Sequence, residues 1–97
     1  MTTVILLEAT VKTECLSTFT ALLQIALPDT RAFTGCESVT VHVNQENHQN
    51  FVFIERWASR DAYQRYLAWR TENGTLAQLM SVLTEPPSIR YFDGVAV

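Results

Sequence analysis

The chain has 97 residues, 47% of them hydrophobic and 18% charged, with a formal net charge of −3. That length suits one domain over residues 1–97; a domain this small buries only about 60–65% of the surface its unfolded chain exposes, so a second copy would add useful burial. The basic residues are one lysine, Lys12, and six arginines interleaved with acids; they form no basic patch, which argues against a nucleic-acid partner.

The N-terminal MTTVILLEATVK has no basic n-region, and its apolar run is too short to span a membrane. It reads as the first strand, Thr2 to Val11, of a soluble cytoplasmic protein with no membrane partner. Val4 and Leu6 share one face of that strand, Ile5 and Leu7 the other, so both faces need cover. Thr13 is placed to cap a following helix, with Glu14 near its positive end. Cys15, Leu16, Phe19, Leu22, Leu23 and Ala26 then recur at helical spacing. Pro28 is expected to end this helix, or to break it before a short turn through Thr30 to Phe33. Gly35 supplies the stop.

Cys36 to Asn44 alternates cleanly: Val39, Val41 and Val43 on one face, Ser38, Thr40, His42 and Asn44 on the other. That is a half-buried antiparallel strand. Gln45 to Gln49 reads as a polar hairpin connection, and Asn50 to Ala58 as the return strand. Ser59 is a good N-cap, with Asp61 in the first turn. The helix from Arg60 gathers Ala62, Tyr63, Tyr66, Leu67, Trp69 and Arg70 on one broad side, and Gly74 ends it. Leu76, Leu79, Met80 and Leu83 form a second, short helical stripe. Glu85 to Ser88, EPPS, forbids helix, and IRYFDGVAV closes with a strand and a tail.

Strand, helix, strand, strand, helix, strand is the order of a ferredoxin-like α+β fold: an antiparallel sheet with helices on one face. Phe51/Phe53 and Val52/Ile54 repeat the two-sided apolar pattern of the first strand. The face away from the helices therefore needs another layer, and a two-fold related copy of the same sheet is the simplest source. The expectation is a homodimer closed into an α/β barrel.

Cys15 and Cys36 are two thiols in an otherwise ordinary chain and read as small buried apolar side chains rather than a disulfide framework. His42, Glu46 and His48 have no spacing that brings them together on a metal. No glycine-rich phosphate loop or dinucleotide fingerprint is present, so neither flavin nor nicotinamide is indicated and no cofactor is expected.

TRAFTGCESVTVHVN followed by FVFIERWASRDAYQRYL resembles the antibiotic biosynthesis monooxygenase (ABM) family. The features carrying the resemblance are Thr30-Arg31, Gly35-Cys36, the Glu55-x-Trp57 pair, Ser59 and the aromatic helix after it; EPPSIRYFD has the same look. The resemblance covers nearly the whole chain. It implies a ferredoxin-like fold dimerised into a barrel, with a pocket between sheet and helices. Some members oxygenate aromatic polyketides or quinols without a cofactor, some degrade haem, and many have no known activity. The tryptophan and tyrosine of the polyketide oxygenases correspond to Trp57 and Tyr63. Phe53 stands where those enzymes have an asparagine, and Ala77 where they have an arginine. Tyr66 and Leu67 occupy the region of the haem-degrading members' histidine.

Cofactor-free oxygenation asks a site to desolvate a phenol or hydroquinone and to stabilise its developing negative charge in front of molecular oxygen. Trp57 offers a flat wall and one N–H donor, and Tyr63 and Tyr66 offer hydroxyls three residues apart on one helix face. Trp57 and Tyr63 are the catalytic candidates. Tyr66, Arg31, Glu55, Phe53 and Arg70 are the substrate-binding candidates, with Arg31 or Arg70 facing an anionic oxygen. The same aromatics also read as plain core. Glu55 is either a general base or one half of an ion pair with Arg31 or with a partner-chain arginine. The reading is a cofactor-independent monooxygenase of a small aromatic, hydroquinone or quinone-like molecule. The alternative is a non-catalytic binding or interaction module of the same fold.

Overall fold

Alternating apolar residues build the sheet, and amphipathic helices cover one side of it. The computed structural model describes residues 1–97. Its elements are β1 (Thr3–Thr10), a 3₁₀ turn (Thr13–Cys15), α1 (Leu16–Ala32), β2 (Cys36–Asn44), β3 (Asn47–Trp57), α2 (Arg60–Glu72), α3 (Thr75–Ser81) and β4 (Ser88–Asp93). The four strands form one antiparallel sheet in the order β2-β3-β1-β4. This is the ferredoxin-like arrangement that the sequence order implies. No helix is long and apolar enough to cross a membrane.

Register decides which residues meet the helices. Ile5 lies opposite Glu55 and Leu7 opposite Phe53, while Val39 and Val41 flank the same two residues from the other side. Because side chains alternate along a strand, Ile5, Leu7, Ala9, Phe51, Phe53, Glu55 and Trp57 all point to the helix side. Two clusters form there. Ala9, Val11, Phe19, Phe53, Val82 and Leu83 make one, and Ile5, Trp57, Ala62 and Tyr63 the other. On the opposite face Val4, Leu6 and Val52 are half-buried, and Ile54 and Phe92 stand exposed.

Local chemistry holds α2 in place. Ser59 accepts the Ala62 N–H on its Oγ at 3.0 Å, the expected N-cap. Gly74 closes the helix with φ +80°, a left-handed conformation that costs glycine nothing. Gly35 has φ +94°, and a Cβ built there would lie 2.7 Å from the Ala62 Cβ, so the start of β2 sits directly against the start of α2.

Four expectations need correction. Pro28 neither ends nor breaks α1, which runs on to Ala32. An internal proline costs a helix about 3 kcal/mol; the neighbouring turn carries side-chain bonds from α2 and from α1 itself. Arg70 Nη2 and Thr30 Oγ1 both donate to the Ala26 carbonyl, at 2.7 and 3.2 Å. Thr13 does not cap α1; it opens the 3₁₀ turn, and Cys15 sits at the N-cap without a side-chain bond. β3 begins at Asn47, because Asn44 pairs with Asn47 across a two-residue turn and a register shift absorbs the polar stretch. Leu83 lies beyond α3, bridging back to Val11 and leaving the short helical stripe with Leu76, Leu79 and Met80.

Candidate active site

A cavity of about 70 Å³ lies where the two core clusters meet. The sheet gives it Leu7, Val39, Phe53 and Glu55; α1 gives Leu22, Leu23, Ala26, Leu27 and Thr30; α2 gives Tyr63, Tyr66, Leu67 and Arg70; Thr75, Leu76 and Leu79 close it from α3. Its wall is therefore mostly aliphatic, with a few polar groups set into it, the usual make-up of a small-molecule site. Of the residues expected from the sequence, Tyr63, Tyr66, Glu55, Phe53 and Arg70 are brought together here.

Glu55 is 4% exposed, and its cross-strand neighbours Ile5 and Val39 are themselves buried. Burial raises its pKa above the ordinary carboxyl value; the Trp57 hydrogen bond opposes that, more weakly. That bond runs from Trp57 Nε1 to Glu55 Oε1 at 3.0 Å. Oε2 makes no hydrogen bond within the chain. No fully enclosed side-chain polar atom lacks a partner, so Oε2 keeps accessible surface, on a residue that lines the cavity.

Tyr63 is 1% exposed, and its hydroxyl likewise has no partner within the chain. Burial, followed by the nearby Glu55 carboxylate, drives its pKa far up. Both influences favour the neutral phenol, whose hydroxyl carries a donor proton.

Tyr66 is engaged differently. Its hydroxyl lies 2.6 Å from Thr30 Oγ1 and accepts from Arg70 Nε at 3.0 Å. With the Thr30 proton on the Ala26 carbonyl, the Tyr66 proton goes to Thr30, and this small network is satisfied. Arg70 Nη2 completes it with a bond to Thr30 Oγ1 at 2.9 Å.

Three expectations change here. Trp57 does not line the cavity. It is fully buried behind Glu55, with its ring centroid 5.0 Å from that of Tyr66 and 5.5 Å from that of Tyr63. A strand's period of two carries Trp57 past the cavity to the end of β3, so it meets the site through its N–H rather than its face. Arg31 is exposed and donates to the Val39 carbonyl at 3.0 Å, outside the cavity. Accordingly no ion pair joins Arg31 to Glu55; the chain's one ion pair is the surface contact between Arg65 and Asp61, at 2.8 Å.

Sequence reasoning did not assign the α1 and α3 walls to the site. Their leucine stripes were visible as helix faces, but which sheet residues they would oppose was not. Thr30 carried one usable signal: a hydroxyl inside an otherwise apolar helix face.

The sequence profile described as "Antibiotic biosynthesis monooxygenase" matches residues 2–71. A solved antibiotic biosynthesis monooxygenase superposes with a TM-score of 0.86 at 23% identity, covering 99% of this chain and 100% of its own. A conserved protein from Methanosarcina mazei Go1 gives 0.86 at 17% identity, with 95% and 91% covered. A variant of SnoaB, a cofactor-independent oxygenase from Streptomyces nogalater, gives 0.84 at 17% identity, with 99% and 95% covered. At these identities the superpositions establish the fold. No curated protein matches the sequence.

Proposed function

Since the chain belongs to the antibiotic biosynthesis monooxygenase family, we propose that it is a cofactor-independent monooxygenase of a small phenol, hydroquinone or quinone-like molecule. The observation that carries this is the pairing, in one apolar cavity, of a carboxylate oxygen and a phenolic hydroxyl that have no partner within the chain. A substrate hydroxyl placed between them gives its proton to Glu55 Oε2. Tyr63 donates to the oxygen left behind, and that bond strengthens as negative charge develops. The raised carboxyl pKa brings Glu55 closer to a phenol's own, which favours the transfer.

The arenolate then passes one electron to molecular oxygen. Collapse of the resulting radical pair forms a carbon–oxygen bond at a ring carbon ortho or para to the phenolic oxygen. Breaking the O–O bond of that hydroperoxide, with loss of the ring C–H proton, gives a quinone carbonyl and one water. One oxygen atom of O₂ thus enters the ring, the other leaves as water, and no external reductant is consumed.

Cavity size narrows the substrate. At about 70 Å³ it is roughly half of a 150 Å³ cavity that admits benzene. Even a single ring requires the wall to yield, and α3, a seven-residue helix with no buried residue, is the part best able to do so. The apolar outer face of the sheet, with Val4, Leu6, Val52, Ile54 and Phe92, supports the further reading that a second copy covers it.

Oxygen uptake by the purified chain, without added cofactor, tests the activity. Single-ring hydroquinones and phenols should be consumed with one oxygen molecule per turnover, and three-ring anthrones more slowly. If nothing in this series is oxidised, the binding-module reading is the better one; Phe53, apolar where the oxygenases it resembles have an asparagine, favours that rival.

A further inference from the structure

Arg70 stands out among the cavity residues because no carboxylate meets its charge: its guanidinium carbon lies against aromatic rings instead, 4.6 Å from the Trp69 centroid and 5.3 Å from that of Tyr66. Its side chain leaves α2 seven residues after Tyr63, a separation of roughly 10 Å along the helix. It is 5% exposed, yet it has no carboxylate partner, the single ion pair lying elsewhere on the surface. Its hydrogen bonds all go to neutral groups: Nε to the Tyr66 hydroxyl, Nη2 to Thr30 Oγ1 and the Ala26 carbonyl. The Ala26 carbonyl belongs to the C-terminal half of α1, whose negative dipole end supplies only a fraction of a charge. Nη1 makes no bond within the chain and, since no fully enclosed polar atom lacks a partner, it opens onto accessible space.

A cation taken out of water without an anion beside it is costly. A clamp between α1 and α2 requires only Nε and Nη2. Nη1, unbonded within the chain on a residue that lines the cavity, is a preorganised donor with a full charge behind it, the kind of group that binds an oxyanion strongly. We infer that Arg70 is the seat for an anionic oxygen of the substrate, so that the cavity takes a single-ring phenol with a carboxylate at the end away from its hydroxyl. In this arrangement the hydroxyl meets Glu55 and Tyr63, and the carboxylate meets Arg70 further along α2. The inference rests on the reading of this cavity as a site for a phenol.

Binding of 4-hydroxybenzoate and of its neutral isostere 4-hydroxybenzamide to the full chain, measured by calorimetry at pH 7.5, tests it. The carboxylate should bind about tenfold or more tightly than the amide, as a charge-assisted bond predicts. Arg70→Gln should erase that preference while keeping the amide's affinity, and Arg70→Lys, which retains the charge, should keep part of it. Arg65→Gln, on the surface, should leave it intact. If the wild type binds both probes equally, the anion seat is wrong and the aromatic cavity stands. If neither binds at millimolar concentration, both readings fall. A preference that survives unchanged in a folded Arg70→Gln variant also overturns the seat. Should that variant not fold, the wild-type comparison together with Arg70→Lys still decides.

Discussion

Trp57 Nε1 donates to Glu55 Oε1 at 3.0 Å, from a position two residues along the same strand, and this leaves the second carboxylate oxygen unbonded within the chain, on a residue that lines the cavity. The indole therefore orients the carboxyl and tempers the effect of burial on its acidity. Its hydrogen bond is the one influence that draws the Glu55 pKa down against burial. Trp57→Phe should move the acid limb of the pH–rate profile to higher pH while the protein stays folded. A profile that does not move would remove Trp57 from the mechanism. Trp57→Ala should instead unfold the protein more readily, by about 3–5 kcal/mol, as expected for a large aromatic emptied from a core. Chemical denaturation measures that loss.

Glu55→Gln should lower the rate of phenol oxidation by about 10²- to 10⁴-fold, the range for a lost general base. The same variant should change how stability depends on pH. In the wild type the folded carboxyl binds its proton more tightly than the unfolded one, whose pKa is near 4.5. Glu55's contribution to stability is therefore greatest below that value, declines as pH rises from it to the folded pKa, and is level above. Thermal melts across this window should show the decline in the wild type and lose Glu55's share of it in Glu55→Gln. An equal decline in both would show that Glu55 is not the group responsible.

Tyr63→Phe removes only a hydroxyl with no partner in the chain, so the melting temperature should barely change. Turnover should fall by about ten- to a thousandfold, as for a missing charge-stabilising donor. Full activity in this variant, on a substrate that the wild type oxidises, would rule out the proposed role of the phenol.

Gly35→Ala tests the packing of β2 against α2. The new methyl would stand 2.7 Å from the Ala62 Cβ, at a backbone φ of +94° that alanine resists. The variant should lose more than about 1 kcal/mol. Gly35→Ala combined with Ala62→Gly should recover the steric part of that loss only. No loss in the single variant would mean that the two elements separate easily.

Light scattering at micromolar concentration should give twice the chain mass of 11.0 kDa. Ile54→Arg, on the outer face of the sheet, should give the monomer. A wild type that is monomeric with its fold intact would remove the proposed partner layer.

The sequence by itself determined the element order, the ferredoxin-like topology, the Ser59 cap and the two glycine stops. These depend on neighbours a few residues away: period-two and period-3.6 patterning, a hydroxyl one turn before an N–H, a backbone that only glycine adopts freely. It also placed Trp57 and Tyr63 near one another, because Ser59 turns the strand directly into the helix; their ring centroids lie 5.5 Å apart. Tertiary structure decided the rest. Pro28 stays inside α1, and Arg70, 42 positions later in the chain, ties the neighbouring turn to α2 through the carbonyl of Ala26. Arg31 and Arg70 looked equivalent as anion partners, yet one caps the edge strand in solvent and the other is buried on the cavity wall. Trp57 and Glu55 share a strand face, and only the arrangement of α1, α2 and α3 over that face settles which of them meets the cavity. The enclosure, the unpaired oxygen and the cation without a carboxylate arise from packing among elements far apart in sequence, which local patterning does not encode.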